Sequence, residues 1–167
     1  MKRVLLTGMS GTGKSTVIGE LAARGCKAVD LDDGEWCECV AFRHIPGVPD
    51  PPDVPGREWV WREDRVEALL ATEDAEVLFV SGCASNMRQF YPQFDHVILL
   101  SAPADVLVER LATRTNNPYG KDPVELARVL HYLETVEPLL RRRAGYEIDT
   151  SAPLAQVVAA VLEVVQS

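Results

Sequence analysis

The fold of this chain is decided by one stretch near its start, Gly8-Met9-Ser10-Gly11-Thr12-Gly13-Lys14-Ser15, which matches the pattern GxxxxGK(S/T) at every fixed position. Glycines here let backbone N–H groups curl around an anion, because they tolerate positive φ and carry no Cβ. A short apolar run precedes the motif and an amphipathic segment, 14–24, follows it. The order strand, glycine loop, helix is the context that a phosphate-binding loop requires. The predicted phosphate contacts are Gly8, Ser10, Gly11, Thr12, Gly13, Lys14, Ser15 and Thr16.

Two side chains of this loop have specific chemical roles. Lys14 is expected to reach the β and γ phosphates of a nucleotide, and the Ser15 hydroxyl is expected to ligate Mg²⁺. The helix that begins near Lys14 adds the positive end of its dipole to the same site. A nucleotide with Mg²⁺ is therefore the predicted ligand.

The remainder of the chain alternates strand-like and helix-like segments. This alternation predicts an α/β fold in which helices cover both faces of a parallel sheet. With 167 residues, the chain suits a single domain, 1–167. The predicted strands are 2–7, 27–30, 76–81, 95–101 and 146–149. The predicted helices are 14–24, 33–44, 57–72, 103–114, a helix capped by Asp122 and kinked or ended at Pro138, and 153–165. The proline-rich stretch 44–56 is predicted to be a surface loop.

The composition argues against several classes of partner. With 17 Lys and Arg against 25 Asp and Glu, the formal net charge is −8, whereas nucleic acids and acidic membranes need a broad basic face. No apolar run approaches the roughly 20 residues of a membrane span, and glycines interrupt the first apolar stretch too early for a signal peptide. The four cysteines form no CxxC pair, which is typical of reduced thiols. We expect a cytoplasmic protein that binds neither nucleic acid nor membrane.

Motor and signalling proteins with a phosphate loop are also disfavoured. Such proteins usually hold Mg²⁺ with an aspartate at the end of a hydrophobic strand. Here the strand 76–81 runs into Gly82 and Cys83 with no acid, and no Asn-Lys-x-Asp guanine signature occurs.

Two acids follow the second predicted strand, in the triplet Asp30-Leu31-Asp32. Together with the glycine loop, this triplet makes the chain resemble the small P-loop kinases typified by shikimate kinase, gluconate kinase and adenylate kinase. The resemblance spans almost the whole chain, and it implies a three-layer P-loop fold with a five-stranded parallel sheet in the order 2-3-1-4-5 and ATP as the nucleotide. It also implies that Asp30 helps Ser15 to hold Mg²⁺ and that Asp32 orients and deprotonates an acceptor hydroxyl.

Residues 80–88 occupy the place of the acceptor loop in these kinases. Shikimate kinases have a Gly-Gly-Gly run there, of which this sequence keeps only Gly82, and gluconate kinases have Cys-Ser-Ala followed by basic residues. The resemblance implies substrate contacts from Gly82 and Arg88. Arg62 lies where shikimate kinases keep an arginine for the substrate carboxylate, a group that arginine binds with two hydrogen bonds.

The segment that follows the predicted helix 103–114 resembles the lid of this group. Asn-Pro and Tyr-Gly pairs between residues 116 and 120 favour turns, so a mobile lid is expected at about 114–123. The resemblance implies that Arg110 or Arg114 closes over the triphosphate. It also implies that Asp149 lies beside the adenine.

The sequence as a whole predicts an ATP- and Mg²⁺-dependent phosphotransferase that acts on a hydroxyl of a small polar metabolite. A nucleoside monophosphate kinase is the enzymatic alternative, because its acceptor phosphate would need arginines (Arg43, Arg62, Arg88) and no base. A nucleotide-binding regulatory protein with slow hydrolysis is the alternative of another class. The identity of the acceptor, the pathway and the choice between monomer and homodimer stay open.

Overall fold

The predicted α/β fold is confirmed by the computed structural model, which describes residues 1–41, 46 and 57–167. Five strands form a parallel sheet in the order β2-β5-β1-β6-β7, and two further strands, β3 and β4, form a separate antiparallel hairpin. Numbered along the chain without the hairpin, the sheet has the predicted order 2-3-1-4-5. The strands are β1 (Lys2–Thr7), β2 (Lys27–Asp30), β3 (Cys37–Ala41), β4 (Arg57–Trp61), β5 (Val77–Ser81), β6 (His96–Ser101) and β7 (Tyr146–Asp149).

Helices lie on both faces of this sheet. Strand β1 shows why: its residues alternate between faces, so that Val4 and Leu6 belong to one core cluster and Leu5 to the other. The first cluster contains residues of α1 and α6, and the second contains residues of α2 and α5. The helices are α1 (Lys14–Ala23), α2 (Glu63–Leu70), α3 (Ala104–Thr113), α4 (Pro123–Thr135), α5 (Glu137–Arg143) and α6 (Leu154–Gln166), and a 3₁₀ helix spans Met87–Gln93.

Two predicted helices are wrong where the hairpin forms. The segment predicted as helix 33–44 contains β3, and the segment predicted as helix 57–72 begins as β4 before α2 starts at Glu63. Aromatic and β-branched residues favour strands, and the run Trp59-Val60-Trp61 pairs in antiparallel register with Cys37–Cys39. The N–H of Arg62 then donates to the carbonyl of Trp36 at 2.7 Å, which closes the hairpin before the helix begins. The predicted loop 44–56 lies outside the described residues except for Pro46.

Two helix boundaries read from the sequence are confirmed. The Asp122 carboxylate accepts a hydrogen bond from the N–H of Val124 at 2.8 Å and so caps α4. Helix α4 ends at Thr135, and α5 starts at Glu137 with Pro138 in its first turn, a position where the missing N–H of proline is tolerated. Among the described residues, no helix is long and apolar enough to cross a membrane.

Candidate active site

The predicted phosphate loop lies at the carboxyl end of the central strand β1, and α1 begins at Lys14. Gly11 and Gly13 have φ values of 86° and 93°, a left-handed conformation that other residues rarely adopt. Gly8 is needed for a different reason: a Cβ there would lie 2.3 Å from the carbonyl oxygen of Leu100 on β6. The loop can therefore pass closely over the neighbouring strand and expose its N–H groups.

Lys14 and Thr12 contribute to the shape of the loop itself. The Lys14 ammonium donates hydrogen bonds to the carbonyl oxygens of Gly8 at 2.8 Å and Met9 at 3.1 Å. The buried Thr12 hydroxyl donates to the carbonyl of Met9 at 2.8 Å. The Lys14 ammonium is thus held inside the curve of the loop, where a phosphate group would be bound.

Ser15 and Asp30 meet at the edge of this loop. The Ser15 hydroxyl donates to the Asp30 carboxylate at 2.6 Å, and the other oxygen of Asp30 accepts the N–H of Asp32 at 3.0 Å. Strands β2, β5 and β1 are parallel neighbours, so their carboxyl ends bring these residues together. Hydroxyl and carboxylate oxygens are suitable ligands for Mg²⁺, which usually takes one or two protein ligands and completes its shell with phosphate oxygens and water. The pair therefore fits the predicted metal. Within the described part of the chain, no three His, Cys, Asp or Glu side chains form a closed metal site.

Asp32 lies beside the loop after β5. The backbone N–H of Cys83 donates to both of its carboxylate oxygens, at 3.0 and 3.3 Å. A Cβ on Gly82 would lie 2.8 Å from the Asp32 Oδ1 atom, so only glycine leaves room for the carboxylate. The side chain of Asp32 is exposed to the groove that it lines. Desolvation by the nearby protein atoms raises the pKa of Asp32, the Lys14 ammonium and the Cys83 N–H oppose the rise, and the charge of Asp30 adds to it.

A single groove of about 850 Å³ joins most of the predicted site residues. It extends from the two acids, across the phosphate loop, to the turn between β7 and α6 and to the segment after α3. Of the predicted site residues, the following line it: Ser10, Gly11, Thr12, Gly13, Lys14, Ser15, Thr16, Asp30, Asp32, Arg110 and Arg114. Gly8 and Gly82 are not among its lining residues, although both contact the elements that form it.

Arg110 connects three parts of the groove wall. Its guanidinium donates to the carbonyl of Gly11 at 3.3 Å and to the Thr150 hydroxyl at 3.0 Å, and it also donates to the Thr150 carbonyl. Helix α3, the phosphate loop and the turn after β7 are therefore linked by one side chain. Thr150, with Ala152 and Leu154, lines the groove there.

Arg114 organises the segment predicted as a lid. Its guanidinium donates to the carbonyls of Asn117 at 3.0 Å and Tyr119 at 2.6 Å, so the segment folds back on the arginine that precedes it. The Glu125 carboxylate accepts the N–H of Gly120 at 2.9 Å. Burial lowers the pKa of Arg114. Asn116, Asn117 and Pro118 line the groove.

Besides Gly8 and Gly82, three predicted contact residues with charged side chains are not among the lining residues of the groove. Arg62 donates from Nε to the carbonyl of Cys37 at 3.2 Å and lies 4.0 Å from the Glu38 carboxylate. Arg88 is exposed in the 3₁₀ helix. Asp149 accepts hydrogen bonds from the N–H and hydroxyl of Ser151, at 2.8 and 2.6 Å.

Sequence reasoning missed some groups at both ends of the site. The N–H of Cys83 is a backbone donor, and Thr150 is placed by a long-range bond to Arg110. Neither group belongs to a motif. The two serines that flank the loop after β5, Ser81 and Ser85, have buried hydroxyls with no partner among the described residues.

A parallel sheet of this order, with a phosphate loop at the end of its central strand, defines a P-loop nucleotide-binding protein. Comparison with known proteins narrows this class. A family model described as an AAA domain matches residues 4–131. A shikimate kinase of Pseudomonas putida is 33% identical over 99% of this chain and 97% of its own length. The chain therefore belongs to the shikimate kinase family of small-molecule P-loop kinases.

Solved structures agree on the fold. A shikimate kinase from Acinetobacter baumannii in complex with shikimate matches 99% of this chain and 93% of its own, with a TM-score of 0.65 at 20% identity. A gluconokinase from Sinorhizobium meliloti matches 95% of this chain and 87% of its own, with a TM-score of 0.57 at 23% identity. The predicted assignment to small P-loop kinases is confirmed.

Proposed function

We propose that this kinase transfers the γ-phosphoryl group of ATP to a hydroxyl of a small polar metabolite, with Asp32 as the general base. The observation that supports this most strongly is the position of Asp32, which shares one groove with the phosphate loop and is held at the loop after β5 by the Cys83 N–H. The acceptor oxygen forms a bond to the γ-phosphorus as the bond to the bridging oxygen of ADP breaks. The hydroxyl proton moves to the Asp32 carboxylate.

The phosphate loop and the two arginines supply charge stabilisation for this transfer. We propose that Lys14 leaves the loop carbonyls for the β and γ phosphates, and that Ser15 and Asp30 hold Mg²⁺. The bound metal would neutralise phosphate charge during transfer. Asp149 is proposed beside the adenine, and Arg110 and Arg114 beside the triphosphate.

The placement of the arginines favours a hydroxyl acceptor over a nucleoside monophosphate. An acceptor phosphate needs cationic side chains directed into the groove, and Arg62 and Arg88 are not among its lining residues. Arg43 lies outside the described residues. The acceptor is proposed to contact Gly82 and Asp32, with Arg62 and Arg88 at the periphery.

A screen with purified protein tests the proposed reaction. ATP consumption is coupled to a panel of sugar acids, shikimate, other polyols, hydroxylated antibiotics and nucleoside monophosphates, with and without Mg²⁺. We expect Mg²⁺-dependent phosphorylation of a hydroxyl compound and no turnover with nucleoside monophosphates. The Lys14→Ala variant serves as the control for contaminating kinases. Turnover with a nucleoside monophosphate alone, or stoichiometric ATP binding with no acceptor, would contradict the proposal.

The lid prediction concerns Arg114. We expect Arg114→Ala to lower kcat about 100-fold while the KM for ATP changes little, because a lid arginine acts on charge that develops during transfer. Steady-state kinetics with the acceptor from the screen measures both constants. Arg142→Ala, which removes an exposed arginine from α5, is the matched control.

Hydrogen exchange gives an independent measurement of the same segment. The backbone amide hydrogens of residues 114–123 should exchange with solvent more slowly when a bisubstrate analogue is bound than without it. Equal protection in both states would show a static loop.

We further propose that residues 1–167 act as one domain in the cytoplasm, as a monomer or homodimer. The acidic net charge of −8 supports the absence of nucleic acid among its partners.

A further inference from the structure

Trp61, the last residue of β4, is held in one orientation. Its side chain is fully buried. Its backbone pairs with the side-chain amide of Asn86, since the N–H of Trp61 donates to Asn86 Oδ1 at 2.9 Å and Asn86 Nδ2 donates to the Trp61 carbonyl at 2.9 Å. The indole packs against Phe90 with ring centroids 5.8 Å apart. The direction of its N–H is therefore fixed by contacts on several sides.

The indole N–H itself has no hydrogen-bond partner among the described residues. An unpaired buried donor is destabilising, so its retention calls for an explanation. Gly82 lies beside both groups: a Cβ at this glycine would lie 3.2 Å from Trp61 Nε1 and 2.8 Å from Asp32 Oδ1. The indole and the carboxylate therefore flank the same glycine. Desolvation raises the pKa of Asp32, and the indole N–H, like the Lys14 ammonium and the Cys83 N–H, opposes that rise.

We propose that Trp61 is a positioning residue, whose indole N–H acts with the backbone N–H of Cys83 to fix the plane of the Asp32 carboxylate toward the acceptor. The proposal rests on the proposed role of Asp32 as the base. The Cys83 N–H alone is shared between both oxygens, at 3.0 and 3.3 Å, so it does not distinguish them. A second donor on the Oδ1 side leaves Oδ2 for the acceptor hydroxyl.

This arrangement gives a role to two further residues. Asn86 holds Trp61 from the loop after β5, so the hairpin and the loop share one side-chain pairing. Gly82 provides the gap between the indole and the carboxylate, which any side chain would fill.

A double-mutant cycle tests the proposal in the intact protein. Trp61→Phe keeps an aromatic ring against Phe90 and removes the N–H. We expect kcat to fall by about 10- to 100-fold, by analogy with residues that orient the ligands of a metal, with the KM for ATP unchanged. In the Asp32→Asn background, Trp61→Phe should lower kcat by no more than about twofold, because residues that act through one another are not additive.

The matched control is Trp59→Phe, the same substitution two residues earlier on β4, where the side chain is 64% exposed. This variant should keep the kcat of the parent protein. If Trp61→Phe lowers kcat by the same factor in the parent protein and in the Asp32→Asn background, the role of Trp61 is purely structural and the proposal is overturned. An unchanged kcat in Trp61→Phe overturns it as well.

Tryptophan fluorescence separates this proposal from the proposed function. The chain has three tryptophans, so the double variant Trp36→Phe/Trp59→Phe leaves Trp61 as the only tryptophan, which is excited at a wavelength that tyrosine does not absorb. In this background, Asp32→Asn should change the emission of Trp61, and Asp33→Asn, which removes a neighbouring charge, should not. No response to Asp32→Asn overturns the contact, whatever the acceptor screen shows. A clear response with no acceptor phosphorylated overturns the proposed function alone.

Discussion

Lys14→Ala is expected to lower the rate of phosphoryl transfer by at least about 100- to 1,000-fold, the effect of removing one preorganised charge donor from a transition state. Among the described residues, this ammonium donates hydrogen bonds to the carbonyls of Gly8 and Met9. Loss of two such bonds costs about 1–3 kcal/mol of stability, so the variant should fold. Its kcat is measured with the acceptor from the screen, and its folding by thermal unfolding.

The control for this variant is Lys27→Ala. Lys27 bonds to the Thr72 hydroxyl at 2.8 Å and to the Asp74 carboxylate, and it does not line the groove. This substitution should leave kcat within about twofold of the parent value, as surface changes far from a site usually do. Near-normal kcat in Lys14→Ala would contradict the P-loop kinase mechanism.

Asp32→Asn is expected to lower kcat by about 100- to 10,000-fold, the range for loss of a general base. Asparagine keeps an oxygen that can accept the Cys83 N–H, so the loop after β5 should keep its shape. The KM for ATP should change little, because the nucleotide phosphates are bound by the glycine loop. Both constants are obtained by varying ATP and acceptor separately.

Asp33→Asn provides the comparison for Asp32→Asn, because it removes the same charge from the next residue, whose side chain is exposed. A loss confined to Asp32→Asn assigns the effect to the base. Full activity in Asp32→Asn would reject a hydroxyl acceptor. If kcat falls by a similar factor in both variants, the effect is due to the net charge of the groove and not to a base.

The sheet could be predicted from sequence because β1, β5 and β6 are short, mostly apolar runs, and β2 and β7 each lead into a turn. The hairpin could not, since β3 and β4 are defined by pairing with each other across residues 42–56. Considered without its partner strand, the sequence around β4 is as compatible with the surface of a helix as with a strand, because it contains the charged residues Arg57, Glu58, Arg62 and Glu63. Pairing over such a separation overrides local preference.

The same distinction applies to the site. Ser15 could be placed by the glycine motif, and Asp30 was placed beside it by the resemblance to the small P-loop kinases. In the structure the two meet because parallel strands end at one edge of the sheet. Some groups at the site could not be predicted from sequence. A backbone donor such as the Cys83 N–H occurs at nearly every residue, and the positions of the Trp61 N–H and the Thr150 hydroxyl depend on long-range packing. Arg62 and Arg88 match by position along the chain, yet neither is among the residues that line the groove.

The contacts of Lys14 also bear on the stiffness of the phosphate loop. Lys14 is the first residue of α1, and its ammonium donates to the carbonyls of Gly8 and Met9 at the opposite end of the loop. One side chain therefore ties the two ends of the loop together, so the curvature of the backbone does not depend on the glycines alone.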